Sequence, residues 1–253
     1  MNINIPKNVK FIIDTYYNNN YEAFMVGGCV RDSLLGLKPK DFDITTSALP
    51  EITENLFTKT IPTGIKHGTV TVVIDKENFE VTTYRTEENY IDNRRPEKVE
   101  FVKDLKEDLS RRDFTINAFA YNDKEGLIDY FNGMDDLKNK VIRAVGDPNK
   151  RFNEDALRML RAIRFSAQLG FSIESKTYDA IKDNVQLIKN ISNERIRDEL
   201  CKILLSDNPC EGIETLRETN MLSIILPEIN DLVEYTPPVS YTHLRAHETR
   251  SNL

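Results

Sequence analysis

The sequence lacks several features that would place it in a special class of protein. Its 253 residues contain no apolar run near the ~18 residues that a membrane-spanning helix requires, so we expect no membrane insertion. The N-terminus has no basic segment followed by a long apolar one, which argues against a secretory signal. Only three cysteines occur, at scattered positions, and they indicate neither a disulfide framework nor a metal knuckle. The cytoplasm is therefore the expected compartment.

An excess of basic residues is also missing. The chain holds 34 Lys and Arg against 41 Asp and Glu, which gives a formal net charge of −7. A strongly basic nucleic-acid coat is thereby excluded, and any contact with a polyanion must come from a local patch. Hydrophobic residues make up 40%, as in an ordinary globular protein of one large domain or two small ones.

The order of periodic segments predicts an α+β unit over residues 1–145 and a helical region over 146–235. The expected helices of the first unit cover 6–20, 29–35 and 51–57, and its expected strands cover 22–26, 41–45, 67–74, 79–85 and 99–102, with a hairpin turn at 75–78. The polar stretch 86–96 is interpreted as a long mobile loop, and helices are expected to dominate after the last strand.

The end of the chain departs from this pattern. Its last fifteen residues carry two of the three histidines, His243 and His247, without a clear amphipathic period. Two histidines four apart on a helix could bind a metal, but no third ligand lies near them in the sequence. We interpret residues 236–253 as an atypical tail of foreign or frame-shifted origin.

A glycine pair marks the first candidate site. Gly27 and Gly28 follow a predicted strand and precede a predicted helix that carries Arg31. Paired glycines let a backbone approach a phosphate closely, a helix N-terminus presents unbonded N–H groups, and an arginine adds a fork of donors. Taken alone, a glycine pair before a helix is more often a plain tight turn.

Two aspartates form the second candidate site. On a strand, Asp41 and Asp43 would face one side about 6.6–7 Å apart, while Phe42 faces the core. Such a pair can ligate two Mg²⁺ ions, although a lone D-x-D is usually only a polar strand face. Here Ile44-Thr45-Thr46 continue the strand. Glu80, on a neighbouring predicted strand, could be a third carboxylate, but alternation alone does not place its face.

The third candidate site is the segment EDALRMLRAIRF, which predicts an amphipathic helix. At ~100° per residue, Asp155, Arg158 and Arg161 fall within an arc of about 120°. Arg164 lies at the edge of the apolar side, where an arginine has no evident partner. The alternative is a solvated charged face with ion pairs worth only tenths of a kcal/mol each.

A weaker signal lies at Ser110-Arg111-Arg112-Asp113. Ser110 and Asp113 resemble a capping box, which would put Arg111 and Arg112 in the first turn of a helix. Because the helix dipole disfavours cations there, at least one arginine would serve an anionic ligand. A pair of exposed surface cations is the alternative.

Together these segments resemble the class II tRNA nucleotidyltransferases, or CCA-adding enzymes, which are relatives of bacterial poly(A) polymerase in the polymerase-β-like superfamily. The resemblance runs from about Tyr21 to about Pro227. It rests on GGCVRDSLLG at 27–36, DFDITT at 41–46, TGIKHGTVTVV at 63–73, RRP at 94–96, RRDFTINA at 111–118 and RFNEDALRMLRAIRF at 151–165. It implies an α+β nucleotidyltransferase head domain followed by an all-α neck and the start of a body.

The resemblance also implies residue roles in the head domain. Gly28 and Arg31 would hold the phosphates of the nucleotide, and Arg112 would contact the nucleotide. Asp41 and Asp43 would bind Mg²⁺ and serve as the catalytic residues.

In the neck, Asp155, Arg158, Arg161 and Arg164 match the helix that reads the incoming base in place of a nucleic-acid template. A carboxylate can accept from the amino group of cytosine or adenine, and a guanidinium can donate to their ring acceptors. Uracil or guanine would leave groups unpaired at Asp155 or Arg158, at a cost of ~1–3 kcal/mol each.

The implied activity is addition of C and A nucleotides, as CCA or the terminal A alone, to the 3′ end of tRNA from CTP and ATP. Arg94-Arg95-Pro96 weighs against a CC-only enzyme, since those family members lack part of this loop. A poly(A) polymerase is the nearest alternative. Family members continue beyond position 240 with domains that bind tRNA. A second alternative is therefore an RNA-binding protein that a shortened end leaves inactive. A small-molecule nucleotidyltransferase would not explain Asp155 and Arg158.

Overall fold

The computed structural model describes residues 3–91 and 95–229, and it describes side chains except those of 88–98. Arg94, His243, His247 and the whole tail at 236–253 lie outside the described residues. Within the described ranges, every helix is too short or too polar to cross a lipid bilayer.

The elements of the described chain follow one another in a mixed order. The strands are β1 (Ala23–Val26), β2 (Asp43–Thr46), β3 (Thr60–Gly64), β4 (Thr69–Ile74), β5 (Glu77–Thr83), β6 (Arg85–Ile91), β7 (Arg95–Phe101), β8 (Phe119–Asn122), β9 (Gly126–Asp129), β10 (Val141–Ile142) and β11 (Ser172–Ile173). The α-helices are α1 (Lys7–Asn18), α2 (Gly28–Leu34), α3 (Pro50–Leu56), α4 (Leu105–Ser110), α5 (Gly133–Asn139), α6 (Pro148–Glu154), α7 (Leu157–Leu169), α8 (Ser175–Asn184), α9 (Asn193–Leu204), α10 (Pro209–Glu218) and α11 (Leu222–Ile225).

Seven strands form one mixed sheet in the order β3-β4-β5-β2-β1-β8-β9. Only β2 and β5 are parallel neighbours, and Ile44 pairs with Val81 between them. The other neighbours are antiparallel, and Val26 at the end of β1 pairs with Asp43 at the start of β2. This register brings the first and second candidate sites to the same edge of the sheet.

The sheet is covered on both faces. On one face, Met25 and Ile44 join a core that continues through Phe152 and Ile163 into the C-terminal helices. On the other face, Phe24 belongs to a smaller cluster that α4 covers with Leu105 and Leu109. The alternation of Phe24 and Met25 between the two clusters follows from the period-two geometry of a strand.

The predicted α+β fold is confirmed. The expected helix over 6–20 is α1, the expected strand over 22–26 is β1, and the helix expected over 51–57 begins with Pro50 in its first turn. The expected hairpin is present, but its turn is shorter than 75–78: it consists of Asp75 and Lys76, which both take positive φ angles, and Glu77 already pairs with Ile74.

One expectation about the middle of the chain is wrong. Residues 86–91 and 95–96 are not an irregular loop but parts of β6 and β7, which pair as an antiparallel ribbon with Glu87 opposite Val99. Helices do dominate after this ribbon, as expected, since α4 to α11 follow it, but the short strands β8 and β9 also extend the main sheet, with Met25 opposite Tyr121. These strands are four residues long, too short for a clear sequence period.

Candidate active site

The glycine pair forms a tight turn between β1 and α2. Gly27 has a φ of 76°, a value that glycine adopts without strain, and Gly28 is the first residue of the helix. A Cβ atom at Gly27 would lie 2.9 Å from Nη1 of Arg112. Glycine at this position therefore lets the Arg112 side chain pass directly against the turn.

Arg31 is buried on α2 and makes several contacts. Its Nε and Nη2 donate to Oδ1 of Asp32 at 2.9 and 2.7 Å, and its Nη1 donates to Oδ1 of Asn117 at 2.6 Å. Its guanidinium also lies 4.9 Å from the ring centre of Phe165 on α7. Arg31 thus joins the turn to the helix that carries the predicted base-reading arginines.

The acidic pair is only partly on a strand. Asp43 is the first residue of β2, whereas Asp41 precedes the strand, so strand alternation does not describe Asp41. The reason lies in the neighbouring strand, because β1 ends at Val26, opposite Asp43, where Gly27 turns the chain away. Beyond Asp43 there is no β1 residue to continue the ladder.

Glu80 lies beside Asp43. It precedes Val81, the residue paired with Ile44, so Glu80 and Asp43 occupy equivalent positions on the same face of parallel strands. Burial raises the pKa of Asp43, and the negative charges of Glu80 and Asp41 raise it further. The positive charge of Arg112 lowers it. The edge of the sheet is therefore a cluster of negative charge.

Among the described residues, no three His, Cys, Asp or Glu side chains converge enough to hold a metal ion by themselves. The chemistry of the edge nevertheless suits a divalent cation. Mg²⁺ takes oxygen ligands and is commonly bound by one or two carboxylates together with substrate phosphates. A cation would also relieve the repulsion from Glu80 and Asp41, which adds to the effect of burial on the pKa of Asp43. Asp41 and Asp43 therefore fit Mg²⁺ as a shared ligand pair.

The predicted capping box at Ser110 is wrong. Helix α4 begins earlier, where Asp104 accepts a hydrogen bond from the backbone N–H of Lys106 at 2.8 Å, and it ends at Ser110. Arg111 and Arg112 therefore follow the C-terminus of a helix, where the dipole favours cations. The helix dipole therefore gives no reason to expect that one of these arginines binds an anionic ligand.

Arg112 nevertheless has donor capacity to offer. Its ion pair with Asp108 is a long one, 3.7 Å from Nη2 to the carboxylate, and its buried Nε has no hydrogen-bond partner within the described chain. Burial lowers the pKa of Arg112, and the nearby carboxylates of Asp108 and Asp43 oppose this effect. The guanidinium thus lies between two acidic groups, against the glycine turn.

The predicted helix over EDALRMLRAIRF is broken. Helix α6 ends at Glu154, Asp155 is extended with φ −140° and ψ 105°, and α7 begins at Leu157. Oδ1 of Asp155 accepts from the N–H of Leu157 at 3.1 Å, so the side chain competes with helical hydrogen bonding. The carboxylate also pairs with Arg195 of α9 at 2.8 Å. Asp155 therefore does not share a helical arc with the arginines.

The three arginines of α7 all have acidic partners. Arg158 donates to Glu154 at 2.7 Å and to the backbone carbonyl of Arg111 at 2.9 Å. Nε of Arg161 donates to Oδ2 of Asp113 at 2.8 Å. Arg164, which lacks an evident partner in the sequence, lies 2.6 Å from Glu199 and 4.0 Å from the ring centre of Phe165.

A chain of hydrogen bonds connects these candidate sites. Asn117 accepts from Arg31 and donates through Nδ2 to Oδ1 of Asp113 at 3.1 Å, and Asp113 in turn accepts from Arg161. Sequence reasoning missed Asn117 and the pairing role of Asp113. Their only sequence signal is their place in RRDFTINA, next to Arg112.

The fold and this site define a class of protein. A mixed sheet carries an acidic pair at one edge, a glycine turn and a buried arginine adjoin that pair, and arginine-bearing helices pack beside them. This combination is that of a nucleotidyltransferase head domain with a helical extension.

Comparisons with known proteins agree with this class. Residues 23–143 match the family model described as "Poly A polymerase head domain", and residues 170–232 match "Probable RNA and SrmB- binding site of polymerase A". The CCA-adding enzyme of Lactobacillus helveticus is 50% identical over 234 residues, which cover 91% of this chain and 58% of that protein.

Two solved structures are similar along most of the chain. The Bacillus stearothermophilus CCA-adding enzyme in complex with CTP has a TM-score of 0.77 and 44% identity, over 83% of this chain and 51% of its own. A tRNA nucleotidyltransferase complexed with a primer tRNA and an incoming ATP analogue has a TM-score of 0.72 and 34% identity, over 85% and 62%.

The chain belongs to the family that comprises the tRNA nucleotidyltransferases and the bacterial poly(A) polymerases. The CCA-adding enzymes are among the tRNA nucleotidyltransferases. It spans about half the length of the curated relatives it matches.

Proposed function

We propose that this chain transfers nucleotides from CTP and ATP to the 3′ end of tRNA, completing or repairing the CCA end. The observation that carries the proposal is the acidic edge of the sheet, where Asp41 and Asp43 lie beside a glycine turn and a buried arginine. The relatives named CCA-adding enzyme, and the similar structures that contain CTP, or tRNA and an ATP analogue, support the choice of substrates.

Asp41 and Asp43 are proposed to be the catalytic residues and to hold Mg²⁺. When bound, the metal would supply Lewis-acid stabilisation of the phosphates and of the attacking 3′-hydroxyl. The protein contributes the position of the carboxylates. Asp43 is fixed by its pairing with Val26, and Glu80 adds negative charge beside it.

Gly28, Arg31 and Arg112 are proposed to bind the nucleotide. Because Gly27 carries no side chain, the guanidinium of Arg112 lies directly against the turn, and it offers an Nε donor that no described residue uses. Arg31 contributes positive charge, while its contacts with Asp32 and Asn117 fix its orientation.

Asp155, Arg158, Arg161 and Arg164 are proposed to form the surface that reads the base. The contacts of Asp155 with Leu157 and Arg195 use three of the about four acceptor positions of a carboxylate, which leaves one for an amino group of cytosine or adenine. The described contacts of Arg158 likewise use three of its five N–H donors.

We assign residues 1–145 to the head domain and 146–235 to the helical neck and start of the body. The end of the first family match at residue 143 supports this division. The cytoplasm, where tRNA is processed in bacteria, is the proposed compartment.

Primer extension tests the proposal. The protein is incubated with Mg²⁺ and each labelled nucleoside triphosphate, with tRNA transcripts that lack CCA, lack only A, or are replaced by unrelated RNA. We expect two C and one A on the first transcript and one A on the second. Asp41→Asn and Asp43→Asn should lower incorporation at least about 100-fold, the scale of several kcal/mol of lost charge stabilisation.

Asp123→Asn is the matched control. Asp123 pairs with Lys10 at the surface, in the turn that follows β8, at the opposite end of the strands from Asp43. Its replacement should change incorporation by less than about twofold, because exposed ion pairs contribute little. Full activity in D43N would overturn the proposal. A long A tail on unrelated RNA would assign the chain to the poly(A) polymerase group instead.

A further inference from the structure

Asp108 is a buried carboxylate that no candidate site includes. It lies on α4 with no exposed surface. Its Oδ1 accepts from the backbone N–H of Arg85 at 3.3 Å and from Nε and Nη2 of Arg111 at 3.0 and 2.8 Å. Its Oδ2 accepts from Thr45 at 3.2 Å and lies 3.7 Å from Nη2 of Arg112.

Three guanidinium groups gather around this carboxylate. Burial and the charge of Arg111 lower the pKa of Arg85, while Glu87 and Asp108 oppose this shift. Burial lowers the pKa of Arg112 as well, and Asp108 is the strongest influence that opposes it. Asp108 therefore supplies, together with Glu87, which lies 2.7 Å from Arg85 and 3.3 Å from Arg111, the negative charge that makes this group of cations tolerable.

Asp43 is the competing partner for Arg112. Both carboxylates attract the guanidinium, and Asp108 lies within ion-pair distance of it. Without the charge of Asp108, the attractions of Asp43 and Asp113 would remain, and that of Asp43, the stronger of the two, would draw Arg112 toward the acidic edge.

We propose that Asp108 is the positioning residue for Arg112: it holds the guanidinium against the glycine turn, ready for a nucleotide, and keeps it from pairing with Asp43. This inference rests on the proposed function, because it assumes that Arg112 binds the nucleotide. Asp108 does not touch the substrate itself. It acts through Arg112. Its own position is fixed by hydrogen bonds from Thr45 on β2 and from the backbone N–H of Arg85 on β6.

A double-mutant cycle tests the proposal. Dissociation constants for CTP and ATP are measured by calorimetry with Ca²⁺ in place of Mg²⁺, for wild type, Asp108→Asn, Arg112→Gln and the double variant. Each single change should raise the dissociation constant about tenfold. The double variant should bind no more weakly than R112Q, because Asp108 can act only through an arginine that is present.

A second readout is the affinity of the protein for a divalent cation. Binding of Mn²⁺ alone, measured by electron paramagnetic resonance, should weaken several-fold in D108N, because Arg112 then competes for Asp43. Adding R112Q should restore it. A purely structural role for Asp108 would not produce this reversal.

The control is Asp104→Ala, which removes the side-chain cap of the same helix without touching Arg112. It should lower the melting temperature and leave nucleotide binding unchanged. If D108N lacks a cooperative unfolding transition, Asp108→Glu replaces it, under the same requirement of non-additivity with R112Q.

The outcomes separate the two ideas. If wild type binds neither CTP nor ATP, the proposed function fails and the role of Asp108 fails with it. If wild type binds and R112Q binds weakly, but D108N binds like wild type or its effect adds fully to that of R112Q, only the positioning role is overturned.

Discussion

Asp113 illustrates how single residues determine this structure. It is buried, and it accepts hydrogen bonds from the N–H of Phe114, from Asn117 and from Arg161. Burial alone would raise the pKa of this carboxyl, but the charge and hydrogen bonds of Arg161 outweigh burial and bring the pKa down to about 2. The ionised form of Asp113 thus contributes to the stability of the fold.

The pH dependence of stability follows from this shift. Because the pKa is lower in the folded state than the ~3.9 of an unfolded chain, the contribution is present above pH ~4 and is lost as the pH falls toward ~2. Asp113→Asn should lower the free energy of unfolding by about 2 kcal/mol at pH 7, and the difference from wild type should shrink across this window. Urea unfolding between pH 2 and 7 measures both effects.

Asp198→Asn provides the comparison, since Asp198 forms an exposed ion pair with Arg197 on the same helix. It should change stability little at any pH. A difference between D113N and wild type that stays constant from pH 6 to pH 2 would contradict the assignment.

At the residue scale, the sequence predicts which residues belong to the candidate site better than it predicts their hydrogen-bond and ion-pair partners. The positions of Gly28, Arg31 and Arg112 follow from short motifs, because each motif is local. The partners lie far away in the chain: Asn117 is 86 residues from Arg31, and Arg195 is 40 residues from Asp155. Such pairs depend on tertiary packing, which no local pattern contains.

At the element scale, Gly212 determines how three helices pack. It lies on α10, and a Cβ atom there would be 2.5 Å from Cγ2 of Ile203 on α9 and 3.1 Å from Cβ of Ala167 on α7. The absence of a side chain lets the three helices approach closely.

Gly212→Ala sets two effects against each other. Helix propensity favours alanine by about 1 kcal/mol, whereas overpacking a filled contact costs about 1–3 kcal/mol. We expect net destabilisation, since the Ala167 contact is with a Cβ atom that cannot rotate away. Thermal unfolding measures the change, and Glu211→Ala on the exposed side of α10 should stay within about 0.5 kcal/mol of wild type. A stabilised G212A would show that the helices separate freely.

Elements with strong periods are predicted well, and short ones are not. α1 and β1 lie close to their expected positions because their apolar residues repeat over the whole segment. The break between α6 and α7 is missed because the apolar pattern continues through Asp155, while the hydrogen bond of Asp155 to Leu157 and its ion pair with Arg195 favour an extended backbone there.

At the scale of the whole molecule, one core serves both parts of the chain. The same cluster contains Val9 and Ile44 from the sheet region and Ile163, Ile203 and Leu216 from the C-terminal helices. Because these residues form one contiguous cluster of the described chain, unfolding one part would expose apolar surface of the other.

The protein should therefore unfold in one transition. The chain has ten tyrosines and no tryptophan, so near-ultraviolet circular dichroism reports on tyrosine packing. We expect its urea midpoint to coincide with the midpoint of the far-ultraviolet signal, as two-state unfolding requires. Two separated midpoints would mean that residues 1–145 and 146–235 unfold independently.

The contact between Asp155 and Arg195 has a consequence for exchange of parts between relatives. Arg195 lies in the segment matched by the second family model, while Asp155 lies between the two matched segments. The orientation of the Asp155 carboxylate, which we propose to read the base, thus depends on a contact that lies outside either matched segment alone. If Asp155 reads the base as proposed, a chimera joining the head of one relative to the helices of another would keep both matched segments and would still have to re-form this contact before it could select a base.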